Sequence, residues 1–321
     1  MAETTLVPEE TAAAPMTEPR DDRPVTFGHR VEALVFDVYL GLSRLLGVDR
    51  ASAWSGALAR ALGPLARPVE RRARINMKIA FPEVSEPEID RLIRAAWDNL
   101  GRTAAEYAHL DRFRPYETGG RVEMIGGERL KDYAQRDKPV IFVSGHLANW
   151  EVMSIAFHRA GLDYAVLYRA ANNTLIDQRI IDRRSAVMSV DQIPKDHRGG
   201  RRLMKAAKTG RPLAMLVDQK MNDGVASAFF GRPAMTSPTP ARLALKFGAD
   251  VTPVSVERVS GATFRMRVDE PIVFDATGDA TADIEALTLK INQAIEGMIR
   301  AAPGQWLWFH RRWPKETYQD R

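Results

Sequence analysis

The sequence predicts an α/β protein, with a central mixed sheet flanked by helices and an N-terminal helical extension. Two observations lead to this fold class. From Lys138 onwards, short apolar runs alternate with helical patterns, as in a sheet that is covered by helices on both faces. Before Lys138, the apolar residues recur with the spacing of helices.

The first 28 residues are predicted to form a disordered tail. They are rich in acidic residues, and they have neither the apolar core nor the cleavage site of a signal peptide. Residues 29–110 are assigned to a helical segment at a membrane interface, and residues 111–321 to the α/β domain.

Val31–Gly47 is the best candidate for membrane contact. One side of the predicted helix carries Arg30, Asp37, Gly41 and Arg44, and apolar residues cover most of the rest. A second apolar stretch, Trp54–Leu65, leads into a run of arginines, a pattern typical of segments that lie in an anionic interface. Two core helices of a helical subdomain are the alternative. The sequence contains no stretch of about 20 apolar residues that would predict a transmembrane helix.

The elements of the α/β domain follow from their patterns. Five apolar runs are predicted to be strands, at residues 139–143, 164–168, 212–217, 251–256 and 264–268. Helices are predicted at residues 149–160, 175–186, 199–208, 238–247 and 282–301. Upstream of the sheet, Ser85-Glu-Pro-Glu88 is typical of a capping box and predicts the start of a packed helix.

The composition excludes several kinds of site. There is no cysteine among the 321 residues, and the six histidines show no pair at metal-binding spacing, so we expect no metal centre. A net charge of +5 and a sequence pI of about 9.5 favour an anionic partner. Nucleic acid is disfavoured, because the densest basic cluster, Lys195–Arg211, contains no aromatic residue for base stacking.

The candidate catalytic residues lie in Val143-Ser-Gly-His-Leu-Ala-Asn-Trp-Glu151. A buried strand is predicted to end at Val143, and sites in α/β sheets gather where strands end and helices begin. His146 lies at that point, and Glu151 could turn back to hold one imidazole nitrogen while the other takes a proton from a hydroxyl. The alternative is a helix-capping histidine with a glutamate at the helix N-terminus.

Other catalytic machinery is missing from the sequence. It has no P-loop, no GxGxxG after a strand and no GxSxG elbow, and Ser144 lacks the first glycine of an elbow. A serine hydrolase is therefore disfavoured. Direct attack by an acceptor is favoured over a covalent enzyme intermediate.

Gly145-His-Leu-Ala-Asn-Trp-Glu151 resembles the HxxxxE motif of the late acyltransferases of lipid A biosynthesis, the lauroyl and myristoyl transferase family. This family belongs with the lysophospholipid-type acyltransferases. Four further blocks resemble the family in order: Asn76–Glu83; Tyr168-Arg169 with Asn172-Asn173; Asp218-Gln219 with Phe229–Ala234 and Thr236; and Pro303, Trp306, Trp308 and His310–Arg312. The resemblance extends from about Arg72 to Arg312.

The resemblance implies a glycerolipid-acyltransferase-like fold and an enzyme that needs no cofactor. It implies a donor chain on acyl carrier protein and an acceptor hydroxyl on an acyl chain of a lipid A precursor. It also implies that His146 is the base and Glu151 its partner. We expect a peripheral enzyme at the cytoplasmic side of the cell inner membrane. An acceptor that is another glycolipid or phospholipid, such as a phosphatidylinositol mannoside, is the alternative.

Two further residues are predicted to belong to the catalytic group. Arg169 follows a predicted strand and could stabilise an oxyanion, as could amides near Gly145; the alternative is a surface arginine that braces the next helix. Asp218 also ends a strand and could position Arg169 or a substrate hydroxyl, with a turn-forming aspartate as the alternative.

The predicted substrate-binding residues are Asn149, Arg201, Arg202, His310, Arg311 and Arg312. The Arg201–Arg202 pair belongs to the basic cluster, which would meet lipid phosphates or acyl carrier protein, or else form a solvated helix face. The last three lie beside tryptophans that would sit at headgroup level. The alternative for them is a core-closing aromatic segment with trailing charges.

Overall fold

The computed structural model describes residues 24–136, 138–195 and 197–319; residues 1–23 of the predicted tail lie outside them. The described α-helices are α1 (Phe27–Leu46), α2 (Val48–Leu62), α3 (Arg67–Ala80), α4 (Glu86–Glu106), α5 (Glu128–Gln135), α6 (Glu151–Arg159), α7 (Thr174–Ser185), α8 (His197–Lys208), α9 (Thr239–Phe247) and α10 (Ala280–Ala301). The described strands are β1 (Val122–Ile125), β2 (Val140–Ser144), β3 (Ala165–Tyr168), β4 (Gln192–Pro194), β5 (Leu213–Leu216), β6 (Val225–Phe229), β7 (Arg232–Thr236), β8 (Asp250–Ser260) and β9 (Thr263–Val268).

A mixed sheet of seven strands forms the centre of the molecule, which confirms the predicted fold class. Its strand order is β1-β9-β8-β2-β5-β3-β4. The β8–β9 pair is antiparallel and the other neighbours in the sheet are parallel. As a result, the carboxyl ends of β2, β3, β4, β5 and β8 meet at one edge, which we call the catalytic edge because the predicted catalytic residue His146 follows β2. The antiparallel turn brings the start of β1 to the same edge.

Both faces of the sheet are buried. In β2, Ile141 and Val143 pack in a core with apolar residues of α8, α9 and α10. Val140 and Phe142 point the other way and share a second core with α5 and α6. Because successive side chains of a strand alternate between faces, one short apolar strand serves both cores.

The N-terminal helix α1 is oriented with its apolar side outwards. Its polar stripe binds the protein: Asp37 pairs with Arg179 of α7, and Arg44 pairs with Asp111. Eight apolar side chains are exposed instead, namely Phe27, Val31, Leu34, Val35, Val38, Leu42, Leu45 and Leu46. Trp54, Leu58, Leu62 and Leu65 of α2 and the turn after it are exposed as well. Ala33 and Leu40 of α1 and Ala51 of α2 are buried on the other side, so these helices pack on the protein with one face only, and contact of the outward face with a membrane stays a prediction.

Several local details differ from the sequence patterns. β1, β4, β6, β7 and α5 were not predicted, because segments of three to eight residues carry too few positions for a period to be recognised. Ser85 precedes α4 without a capping bond from its side chain, whereas Thr26 and His29 form a reciprocal capping box at the start of α1. None of the described helices is both long and apolar enough to cross a membrane.

Candidate active site

The centre of the site is a histidine–aspartate pair at the catalytic edge. Ser144 and Leu216 face each other at the ends of the parallel neighbours β2 and β5. His146 and Asp218 each lie two residues further along, and His146 Nδ1 donates to Asp218 Oδ1 at 2.8 Å. The backbone amide of His146 donates to Oδ2 at 2.7 Å, as does Nε1 of Trp306. The carboxylate is thus held by three donors.

These contacts determine the electrostatics of the pair. Asp218 is fully buried, and burial alone would raise the pKa of its carboxyl. The charge of His146 and the hydrogen bonds from its ring and amide outweigh burial, so the pKa of Asp218 lies below its usual value. A carboxylate only accepts hydrogen bonds, so it keeps the proton of a neutral imidazole on Nδ1 and leaves Nε2 able to take another.

Gly145 allows this close approach. A Cβ at this position would lie 3.1 Å from Asp218 Oδ2 and 3.1 Å from Leu147 Cδ1. A side chain at this position would require Asp218 or Leu147 to shift by a few tenths of an ångström.

Glu151 has a different partner from the one predicted. Its carboxylate forms a bidentate pair with Arg184 of α7, with Oε1–Nη2 at 2.6 Å and Oε2–Nε at 2.9 Å. Glu151 is the first residue of α6, and from there its side chain points towards α7 rather than back to the imidazole. The carboxylate that holds His146 is that of Asp218.

Asn149 is also placed differently from its prediction as a substrate-binding residue. It is fully buried, its amide nitrogen donates to Glu106 Oε2 at 3.0 Å, and its oxygen accepts from the amide of Glu151. Its side chain therefore fixes the turn into α6 and has no face open to a substrate.

A buried ionic network supports the loop that carries His146. Glu106 of α4 and Arg258 of β8 form an ion pair beneath the loop. Ala148 has a positive φ of 47°, a strained conformation for a residue with a Cβ, and its carbonyl accepts bonds from Asn99 and Thr103. Since Arg258 also donates to Asn99 and Thr103, the network ties the loop to α4 and β8.

A cavity of about 350 Å³ opens beside His146. Most of its inner wall is apolar, and the Glu151–Arg184 ion pair also lines it. The apolar lining residues are Phe142, Met153, Phe157, Val166, Met188, Ala214 and Val254. Its outer end is polar and includes Arg169 and Lys195, whose side chains are exposed. Lys195 also donates to the carbonyl of Leu216 at 3.3 Å. An apolar interior with a few polar groups at one end is the form of a site for an amphiphilic ligand.

Arg169 lies in this cavity together with His146, whereas Arg201 and Arg202 do not line it. Arg202 pairs with Asp191 at 2.5 Å, and this contact braces α8 against the end of the sheet. Arg201 is exposed on α8 with Lys205 and Lys208, so these three form a solvated basic face.

The C-terminal aromatic segment belongs to the core. Trp306, Trp308 and Trp313 are buried, and Arg312 donates to Thr236 Oγ1 at 2.7 Å from a fully buried position. The prediction that this arginine and the tryptophans meet lipid headgroups is therefore wrong. Phe229 of β6 packs against Trp306 and Trp313, Phe81 packs against Trp308, and Met235 and Thr236 of β7 accept from Arg312.

His310 is held in the same segment, and Arg311 is exposed. The ring of His310 lies edge-on to Trp306, and its Nδ1 donates to the carbonyl of Leu307. Burial lowers the pKa of His310 to about 4, so this residue stays neutral at pH 7. It is a packing residue next to the catalytic pair rather than a cationic contact for a headgroup.

No group of histidine, aspartate and glutamate side chains in the described ranges has an arrangement that could hold a metal ion. Part of the signal for the role of Asp218 was present in the sequence, because two predicted strands are each followed within three residues by His146 or Asp218. Which strands are neighbours, however, is a property of the folded sheet.

Comparison with known proteins places these residues in a family context. The family model for bacterial lipid A biosynthesis acyltransferase matches residues 28–315. The lipid A biosynthesis lauroyltransferase of Escherichia coli strain K12 is 28% identical over 78% of this chain and 82% of its own length. The phosphatidylinositol mannoside acyltransferase of Mycolicibacterium smegmatis is 22% identical over 92% of this chain and 96% of its own. A 1-acyl-sn-glycerophosphate acyltransferase structure from Thermotoga maritima superposes with a TM-score of 0.34 and 12% identity, covering 83% of this chain and 96% of that one.

Proposed function

The chain belongs to the bacterial lipid A biosynthesis acyltransferase family, and from this premise we propose that it transfers a fatty acyl chain to a hydroxyl on a lipid A precursor. The proposed donor is a thioester on acyl carrier protein. The single observation that carries the proposal is the apolar cavity that ends at the His146–Asp218 pair.

The apolar inner wall of the cavity supports its assignment to the donor chain. A fatty acyl chain that enters between β2, β3, β5 and α6 would place its thioester at the polar end, beside His146. Burial of each methylene contributes about 0.8 kcal/mol, so a cavity with this lining favours a long alkyl chain. The basic face of Arg201, Lys205 and Lys208 on α8 suits the acidic surface of a carrier protein outside the cavity.

In the proposed mechanism, His146 Nε2 removes the proton of the acceptor hydroxyl as its oxygen attacks the thioester carbonyl. The resulting tetrahedral intermediate collapses, the carbon–sulfur bond breaks, and the imidazolium returns the proton to the departing thiolate. Asp218 holds Nδ1–H throughout and stabilises the imidazolium. The products are an ester and the free thiol of the carrier.

The oxyanion requires a preorganised donor at the outer end of the cavity. The amide of His146 is engaged by Asp218, so it does not face the substrate. We assign the role to Arg169, whose side chain lines the cavity and is exposed to an incoming thioester. Lys195, also in the lining, adds positive charge nearby.

The outward apolar face of α1 and α2 supports a peripheral enzyme at the cytoplasmic side of the inner membrane. Exposed apolar patches of this extent mark interaction surfaces, and arginines border this one. A membrane-bound acceptor would then reach the catalytic edge from the bilayer. The similarity to a phosphatidylinositol mannoside acyltransferase favours one alternative acceptor, another phosphorylated glycolipid.

Two experiments test this function. Purified protein with acyl carrier protein thioester and lipid A precursor should give an acylated product in mass spectra, and His146→Ala should reduce turnover by about a hundredfold or more while thermal melting stays near wild type. Lipids from cells that lack the protein should contain an under-acylated lipid A. Unchanged lipid A together with an under-acylated glycolipid of another class would instead establish the alternative acceptor.

A further inference from the structure

A second cavity, of about 380 Å³, lies where α1 meets α2 and is lined mainly by polar groups. We call it the arginine pocket, and its lining residues are Arg44, Gly47, Val48, His109, Arg112, Arg114, Glu117, Thr118, Gly119, Gly120 and Arg121. Four arginines from three separate parts of the chain thus converge on one concavity. The proposed reaction uses none of them.

The internal ion pairs of the pocket do not neutralise it. Arg121 is bound in a bidentate pair by Asp49, and Arg44 by Asp111. By contrast, Arg112 lies 3.6 Å from Asp111, and Arg114 lies 3.4 Å from Glu117, both longer than good charge-assisted bonds.

With Arg159, which lies 3.8 Å from Glu117, five arginines face the three carboxylates of Asp49, Asp111 and Glu117, which leaves a net positive charge. Arg112 and Arg114 have half or more of their side chains exposed, at 56% and 50%. They are therefore the two guanidinium groups best placed to bind an incoming anion.

The position of the pocket relates it to the membrane. Arg44 and Gly47, which line it, flank Leu45 and Leu46 of the outward apolar face, and Leu45 is 85% exposed. A lipid whose alkyl chains met that face would bring its headgroup to the pocket. A concavity suits a compact phosphate better than the convex surface of a carrier protein.

The position also relates it to the chemistry. Arg121 immediately precedes β1, whose start lies at the catalytic edge, three strand positions from β2. At about 4.8 Å between strands, this separation is roughly 14 Å. Helix α1 crosses the same edge, since Asp37 binds α7 beside the acyl cavity and Arg44 of its last turn enters the pocket. Helix α1 therefore runs from the neighbourhood of the acyl cavity to the pocket.

We propose that the arginine pocket binds the phosphate group of an anionic lipid, and that in the reaction this phosphate belongs to the acceptor. The identity of the phosphate as that of the acceptor rests on the proposed function, whereas binding of an anionic lipid phosphate does not. Guanidinium groups bind phosphate through paired, charge-assisted hydrogen bonds, and Arg112 and Arg114 would supply them. The acceptor would then be anchored at the C-terminal end of α1.

The test is a vesicle flotation assay with the full chain and no acyl donor. The vesicles contain phosphatidylcholine alone, phosphatidylcholine with phosphatidate, or phosphatidylcholine with an equal charge of oleate. The test variant is Arg112→Gln with Arg114→Gln. The matched control is Arg91→Gln with Arg136→Gln, because both control arginines are exposed, at 65% and 56%, and lie outside the pocket.

The test variant should bind phosphatidate vesicles about tenfold more weakly or worse, as the loss of one or two charge-assisted hydrogen bonds predicts, while the control changes little. The difference should vanish with oleate. Equal losses in test and control variants would reduce the pocket to general surface charge. If soluble glucose 1-phosphate bound with the same affinity as phosphatidate vesicles, the pocket would be a site for soluble phosphates. If the test variant selectively lost binding to carrier protein, the pocket would be a protein site. Either result overturns the proposal.

Because this assay contains no acyl donor, His146→Ala should bind like wild type. A protein that binds phosphatidate through the pocket but does not acylate lipid A precursor would refute the proposed function and leave the phosphate site standing. A protein that acylates normally when Arg112 and Arg114 are replaced would refute the acceptor half alone.

Discussion

At the scale of single residues, the chemistry depends on which carboxylate meets which cation. Asp218 is buried and accepts from the ring and amide of His146 and from Trp306, so its charge serves the imidazole. Glu151 is buried against Arg184, so its charge serves the contact between α6 and α7. Two carboxylates near one histidine thus have separate tasks, and substitution should separate them kinetically.

We expect Asp218→Asn to lower kcat by about a hundredfold or more, because an amide no longer stabilises the imidazolium and can select the wrong tautomer. Glu151→Gln should act mainly on stability, since it leaves Arg184 buried without its counter-charge, at a cost of about 3 kcal/mol. Steady-state kinetics and urea unfolding of both variants check this division. A Glu151→Gln enzyme with native stability but as little turnover as Asp218→Asn would contradict the assignment of Asp218 and restore Glu151 as the orienting residue.

The sequence was sufficient to locate His146, because a strand, a turn and a helix start are local features. It did not reveal the partner of His146, because the partner depends on the pairing of β2 with β5, whose residues are about 70 positions apart. The burial of Arg312 and of the tryptophans was likewise hidden, since it results from contacts with Phe81, β6 and β7. Local elements were thus predictable from the sequence, whereas the partners of individual side chains, including Glu151 only five residues from His146, were not.

At the scale of elements, the catalytic loop is held from beneath by α4 and β8. The loop contains the strained Ala148, and strain of this kind persists only where surrounding contacts enforce it. Asn99, Thr103 and Gln305 bind the backbone of Ala148, and the Glu106–Arg258 pair organises these side chains. This buried ion pair is therefore a positioning device for His146, and its loss should disturb catalysis as well as folding.

Glu106→Gln should lower the free energy of unfolding by about 3 kcal/mol, because it leaves Arg258 buried without a counter-charge. Adding Arg258→Gln should cost less in that background than in the wild type, because the two groups are coupled. A double-mutant cycle in urea measures the coupling, and kcat should fall with KM nearly unchanged. Strictly additive free energies, or a KM effect alone, would count against a positioning role.

At the scale of the whole molecule, the acyl cavity and the His146–Asp218 pair lie at the catalytic edge, and the arginine pocket lies at the end of α1. The apolar face of α1 runs across this edge, with its polar stripe turned towards the protein. A helix that packs on a core has the opposite orientation, with its apolar side against the protein. The orientation of α1 supports a bilayer as the missing cover for this face, because a membrane-bound acceptor would then reach the catalytic edge directly.

Membrane binding should accordingly depend on the exposed apolar side chains of α1, which can be replaced without disturbing the fold. We expect Leu34→Gln with Leu45→Gln to shift the protein from floating vesicles to the soluble fraction, since each leucine is more than half exposed and its insertion contributes about 1.5–3 kcal/mol. The matched control is Val190→Gln with Val273→Gln, two similarly exposed apolar residues that lie away from α1. Both pairs should melt near the wild-type temperature, because surface substitutions cost little stability.

High salt should release the wild-type protein from vesicles only in part, because charge supplements apolar burial. Equal release by the control pair, or undiminished binding without Leu34 and Leu45, would place the membrane contact elsewhere on the molecule.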